Sequence, residues 1–307
     1  MSDILDTLRQ EGVDPALLAA VQEYRAAHPL EQALRPRIPS PAFTYYGKIV
    51  WEQALAALLC GENLLLAGGK ATGKNVLAEN LAAAFGRPAW DISFHVNMDA
   101  ASLIGMDPFA DGQVVFRPGP VYRCAQCGGF GVLDEINMAK NEALAVLHAV
   151  LDFRRAIDVP GYERVEVDGA ARFIGTMNYG YAGTRELNEA LTSRFVVIQM
   201  PPIDESGLAR LLGDEFPTLE KKYRGQFVQL FLDLQKKCEN AEISSKALDL
   251  RGLLDALRLI RRGVSAGMAL ALGLTNKAFD AYEQGLIRDV IAARIPSKLE
   301  RSRLFTD

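Results

Sequence analysis

Between the apolar run Leu64-Leu65-Leu66-Ala67 and the helical pattern Val76–Phe85 lies Gly68-Gly69-Lys70-Ala71-Thr72-Gly73-Lys74-Asn75. A glycine-rich turn joining a strand to a helix leaves few folds open. The apolar run suits a strand covered on both faces. The glycines let the backbone wrap a phosphate, and the amides at the start of the next helix, from Lys74 and Asn75 into Val76, point at the anion. Lys74 is placed to reach the β- and γ-phosphates of a nucleotide. The spacing G-x-x-x-x-G-K is complete, but Asn75 stands where a Ser or Thr hydroxyl ordinarily meets Mg²⁺. Its amide oxygen is a feasible ligand for Mg²⁺ or for a bound water.

Further apolar runs fall at Ile92–Phe94, Phe130–Leu133, Phe173–Met177 and Val196–Met200, with helical patterns between most of them. Strands alternating with helices predict a parallel α/β sheet. After Pro201-Pro202 the strand signals stop, and residues 205–295 read as helices. In Leu248–Arg261, residues Leu250, Leu253, Leu254, Leu257 and Ile260 share one face. Three segments are therefore expected. Residues 1–44 hold two short helices, Asp3–Arg9 and Pro15–Ala27, and a proline-rich linker. Residues 45–202 form an α/β nucleotide-binding core, and residues 203–307 a small helical domain. The linker, Arg35–Pro41, has three prolines in six residues and is read as extended rather than helical.

Phe130-Gly131-Val132-Leu133-Asp134-Glu135 is an apolar strand ending in two carboxylates. That end of a parallel strand lies at the rim where α/β proteins bind ligands. Asp134 is expected to hold Mg²⁺, usually through water, and Glu135 to orient and deprotonate the attacking water. A helix over Asn137–Leu151, with Asp134 capping it, is the plainer alternative for the aspartate. Phe173–Asn178 is another strand ending in a polar residue, and the Asn178 amide can bridge a nucleophilic water and the γ-phosphate. Arg194 sits just before the last strand, where it can face a neighbouring subunit's γ-phosphate. Arg251 starts a helix of the C-terminal domain and can close over the nucleotide.

These pieces, in this order over Tyr45–Arg262, resemble an AAA+ ATPase. Gly68–Asn75 is similar to the Walker A loop and Val132–Glu135 to Walker B. Asn178 matches the sensor-one asparagine, Arg194 the arginine finger and Arg251 the sensor-two arginine. Within that class the chain resembles the MoxR family, through Ala101–Gly105, Arg117–Val121, Leu133–Ala139, Met177–Thr184 and Leu191–Phe195. Leu147–Arg155 leans towards the CbbQ, NorQ and GvpN branch. The resemblance implies an α/β P-loop core followed by an all-α lid domain. It also implies an insert in the second helix, at Met98–Pro120, with a hairpin turning at Asp111-Gly112 between Phe109 and Val114. A second hairpin is expected from Ile157–Val159 to Val165–Val167, turning at Pro160-Gly161. Such projections face a ring's pore and contact clients. ATP and Mg²⁺ as cofactors, a homo-oligomeric ring (a hexamer), a protein client and a partner with a von Willebrand A domain are all implied by the resemblance.

Composition limits the alternatives. The 307 residues carry a net charge of −4, which counts against non-specific nucleic-acid binding. Four cysteines make no disulfide framework. Cys124-Ala125-Gln126-Cys127 is a lone pair, where structural zinc takes four ligands. Met1-Ser2-Asp3-Ile4 has neither the basic nor the apolar part of a signal peptide, and the apolar runs are too short to span a membrane. A cytoplasmic location is expected. His148 is read as a packing residue beside Leu144, Leu147 and Leu151, and Arg258, Arg261 and Arg262 as a solvated helix face. Asn276–Asp280 misses the guanine-reading pattern by one position. Two other functions stay open: a nucleotide-binding switch with little hydrolysis, supported by Asn75, and an AAA+ nucleic-acid motor, disfavoured by charge and by the lack of aromatic-basic stretches.

Overall fold

The computed structural model describes residues 3–110, 113–159, 161–179 and 186–306. Five strands make one parallel sheet: β1 (Leu64–Gly68), β2 (Ala89–Ser93), β3 (Phe130–Asp134), β4 (Arg172–Asn178) and β5 (Val196–Gln199), in the order β5-β1-β4-β3-β2. Strand β1 is buried along its whole length. Its alternate residues serve different cores, Leu64 and Leu66 on one face and Leu65 on the other. Side chains alternate across a pleat, so β1, with both faces covered, is apolar along its length.

The first face is covered by four helices: α1 (Ile4–Gln10), α2 (Pro15–Ala27), α3 (Lys48–Leu59) and α4 (Lys74–Phe85). Leu5, Leu8, Val21, Trp51, Leu55, Leu77, Leu81 and Phe85 are all fully buried there. Burying each such side chain contributes about 1.5–3 kcal/mol, so the N-terminal helices are bound into the core. Polar contacts fix their angle: Tyr24 Oη donates to the Ala170 carbonyl at 2.7 Å, and Arg25 Nε to the Ala84 carbonyl at 2.7 Å. The other face is covered by α5 (Ala100–Ile104), α6 (Pro120–Gln126), α7 (Asn141–Leu144), α8 (Leu147–Leu151) and α9 (Glu189–Thr192), packed on Leu65, Ile92, Leu133 and Phe173.

Three local expectations need correction. The segment expected to be wholly extended begins as a 3₁₀ helix, Gln32–Arg37, with Pro36 inside it. Proline's fixed φ suits that helix; the Ile38 amide bonds the Arg35 carbonyl at 3.0 Å, and the chain is extended from Ile38. The single helix expected over Asn137–Leu151 is a 3₁₀ turn, Ile136–Met138, followed by α7 and α8. Asn137 spends its side chain on the Asn178 carbonyl, at 2.9 Å, and Ala139 and Lys140 are extended. His148 is half-buried rather than a core residue.

The insert lies between α5 and α6. Gly105-Met106 pairs with Arg117-Pro118, and Phe109-Ala110 with Gln113-Val114. A side chain at Gly105, φ +144°, would lie 2.5 Å from the Phe116 ring, so only glycine fits. The second hairpin pairs Ala156-Ile157 with Val165-Glu166. The expected turn residues Asp111, Gly112 and Pro160, together with Gly180–Thr184, lie outside the described residues.

The chain divides into two compact units, one of residues 1–69 and 73–201 and the other of 70–72 and 202–307. The second is helical: α10 (Glu205–Glu215), α11 (Lys221–Glu239), α12 (Leu250–Arg261), α13 (Ala266–Gly273), α14 (Ala281–Arg294) and α15 (Arg301–Leu304). Helices α12 and α13 cross so closely that a Cβ on Gly252 would lie 2.0 Å from the Gly273 carbonyl oxygen.

Candidate nucleotide site

The candidate site lies where β1, β3 and β4 end. The loop after β1 turns through Gly73, at φ +80°, which caps α4. A Cβ there would lie 3.0 Å from the ring of Tyr45, so the loop is laid against that ring. Tyr45 is buried and doubly held. Its amide donates to Asn80 Oδ1 of α4 at 3.0 Å, and its carbonyl accepts from Trp51 Nε1 at 2.9 Å. Asn80 also donates to the Phe43 carbonyl, at 2.8 Å. Helix α4 and the chain before α3 thereby fix the loop's flank.

Lys74 opens α4 and is 6% exposed. Its ammonium donates to the Gly68 carbonyl at 3.1 Å and the Gly69 carbonyl at 2.6 Å, bending back over the loop. Burial pushes its pKa down to about 8, while Asp134 and Glu135 oppose that shift. Gly68 and Thr72 are buried, Gly69, Ala71 and Val76 half-buried, and Lys70 and Asn75 exposed. Ala71 takes a left-handed conformation, φ +60°.

The two carboxylates at the end of β3 differ in setting. Asp134 closes the strand, opposite Ser93 of β2. Its Oδ1 accepts from Thr176 Oγ1 at 2.6 Å. Glu135 leaves the sheet in the left-handed region, φ +54° and ψ 43°, which non-glycine residues adopt at a cost of order 1–3 kcal/mol. Its amide donates to Thr176 Oγ1 at 3.0 Å, and its Oε1 accepts from Asn178 Nδ2 at 3.0 Å. Both carboxylates and Asn178 are half-buried. Lys74, Asp134, Glu135 and Asn178 are thus gathered at one edge of the sheet, as parallel-sheet sites are.

Arg194 has other company. Its Nε donates to the His148 carbonyl at 3.2 Å, Nη1 bonds the Ala190 carbonyl, and Nη2 pairs with Asp152 Oδ2 at 3.3 Å. Arg154 pairs with the same carboxylate at 2.6 Å. Its hydrogen bonds, reinforced by one from Arg194, hold the Asp152 carboxyl well below the usual range. Arg251 is exposed in the first turn of α12, in the second unit.

Thr176, Asn137 and Tyr45 did not stand out in the sequence. For Thr176 a signal exists: residues two apart on a strand share a face, so a polar Thr176 beside a polar Asn178 marks that face of β4 as more than packing.

Among the described residues, no group of three or more His, Cys, Asp or Glu is arranged to hold a metal ion. Cys124 is buried and Cys127 half-buried, both as free thiols. No helix among them is long and apolar enough to cross a membrane.

Residues 63–195 match the AAA domain, dynein-related subfamily. The chain is 32% identical over 267 residues to the uncharacterized protein YojN of Bacillus subtilis, an alignment covering 85% of this chain and 88% of that one. It is 33% identical over 248 residues to the uncharacterized protein SH1500 of Staphylococcus haemolyticus, covering 79% and 94%. The uncharacterized protein SACOL1445 of Staphylococcus aureus is 34% identical over 248 residues, with the same coverage.

Proposed function

We propose, for a chain that belongs to the AAA domain family of the dynein-related subfamily, that it is a Mg²⁺-dependent ATPase of the MoxR kind. It works as a ring, a hexamer by the same resemblance, and uses hydrolysis to remodel or activate a protein client. One observation carries the catalytic part. The buried Lys74 ammonium rests on the loop carbonyls within the field of Asp134 and Glu135, and Glu135 is oriented by Asn178. The Lys74 ammonium can exchange these carbonyls for phosphate oxygens, whose negative charge adds a direct ion–ion attraction.

The donor set fits Mg²⁺. A carboxylate and an amide oxygen are the hard ligands it takes, and it ordinarily completes its shell with water and substrate phosphates rather than with an all-protein cage. Asp134 and Asn75 would hold it, and it would supply charge neutralisation at the phosphates. The amides from Gly69 to Val76 bind the phosphates. Glu135 accepts the proton of the attacking water, and Asn178 orients both Glu135 and that water. Arg194 serves the site of the next subunit. The ring, the client and a partner with a von Willebrand A domain rest on the MoxR resemblance.

Asn75 favours one other reading, a switch that binds ATP and scarcely turns it over. Phosphate release measured against protein concentration, for the parent and Lys74→Ala, separates the two. The ATPase reading expects release that rises more than proportionally as rings assemble and is absent in Lys74→Ala. Tight ATP binding without release at any concentration selects the switch. Equal ATP binding by both proteins removes the phosphate-loop assignment altogether.

A further inference from the structure

Strand β4 stops pairing with β3 one residue before the acidic pair, at Gly175 opposite Leu133. From there a side chain replaces the backbone ladder. Thr176 Oγ1 donates to Asp134 Oδ1 at 2.6 Å and accepts the Glu135 amide at 3.0 Å. A hydroxyl has one proton to give and lone pairs to receive, so both bonds form together and both act on the acidic pair. Thr176 is 1% exposed. Packing alone does not call for the hydroxyl, because valine is equally β-branched, fills nearly the same volume and suits a strand as well.

We propose that Thr176 is a positioning residue of the nucleotide site. Its hydroxyl holds one oxygen of Asp134, so the other is the one offered to a metal ion. It also holds the amide of Glu135 in the left-handed turn that aims the carboxylate towards Asn178. One side chain on β4 thereby sets the direction of both acidic groups on β3. The inference rests on reading this edge as a Mg²⁺-ATP site.

The test compares the parent with Thr176→Val, Thr176→Ala and Thr176→Ser. A fluorescent ATP analogue is titrated first in EDTA and then with Mg²⁺, and phosphate release and thermal midpoint are measured on each protein. Partners that orient metal ligands typically cost 10–100-fold in metal affinity or activity when removed, so the valine variant should bind the analogue in EDTA like the parent but need roughly tenfold more Mg²⁺. Phosphate release should fall by about the same factor. Serine keeps the hydroxyl and should restore both; alanine repeats the test without the steric demand of valine. A purely structural threonine would move the thermal midpoint and leave the Mg²⁺ curve in place. An unchanged Mg²⁺ midpoint in the folded valine or alanine variant overturns the proposal, and so does a serine variant as impaired as the valine. Failure of the site reading looks different: the parent and Lys74→Ala would then bind the analogue equally, whatever Thr176 does.

Discussion

Asn178 Nδ2 donates to Glu135 Oε1 across 3.0 Å, joining the ends of two strands whose residues are 43 positions apart. The bond holds the proposed base by one oxygen before any substrate arrives. Asn178 is held in turn, because its carbonyl accepts from Asn137 Nδ2.

That geometry makes Glu135→Gln a clean variant. A glutamine Oε1 still accepts from Asn178, so the loop should keep its shape, but an amide takes no proton. Phosphate release should drop roughly 10²–10⁴-fold, the usual worth of a general base, with ATP binding intact. Binding isotherms and single-turnover phosphate release check this; undiminished turnover removes Glu135 from the base role.

Lys74 predicts a pH dependence. Its pKa in the free protein is about 8, lowered by burial, and a bound polyphosphate favours the charged form and raises it. Binding therefore takes up a proton wherever the pH lies between the two values. ATP affinity should be constant below pH 8 and fall by about tenfold per pH unit above it, until the raised value is passed. Calorimetry in buffers of different ionisation enthalpy should register proton uptake at pH 9 and little at pH 6.5. Affinity flat from pH 7 to 9.5 would contradict the shift.

Arg194→Ala should impair hydrolysis across an interface. Within its own chain the guanidinium is engaged by His148, Ala190 and Asp152, none of which belongs to the candidate site. Arginines supplied in trans are worth roughly 10³–10⁵ in rate in GTPases. A purely structural role would instead lower the thermal midpoint. Mixing decides: Arg194→Ala and Lys74→Ala, each inactive alone, should recover part of the activity once subunits exchange. No recovery after demonstrated exchange counts against a shared site. The sequence also offers Arg185 for this role should Arg194→Ala prove active; it lies outside the described residues.

Asn75→Thr should keep or raise ATPase activity. Asn75 is exposed in the first turn of α4, and a shorter hydroxyl meets octahedral Mg²⁺ more directly than an amide. Activity at or above the parent's marks Asn75 as a substitute ligand. Loss of ATP binding would mean that the loop depends on the amide.

The strands, the phosphate loop and the acidic pair were legible in the chain because each is local. Leu64–Ala67 is apolar throughout because both faces of β1 are covered, and Gly73 is glycine because the chain turns there at φ +80°. Likewise Asp134 and Glu135 end an apolar run because the strand ends there. The partners of these groups were not legible. Thr176 meets Asp134 and Glu135 over 42 and 41 positions, and Asn178 meets Glu135 over 43. Those meetings depend on β4 lying beside β3 in the sheet. The break in the expected helix after Glu135 has the same origin, since Asn137 turns its amide to a carbonyl on another strand. Local chemistry thus determined which residues can bind a phosphate or take a proton. The sheet's strand order decided which of them are held, by what, and in which direction they point, because a hydrogen bond acts over about 3 Å and only the folded chain brings such distant residues that close.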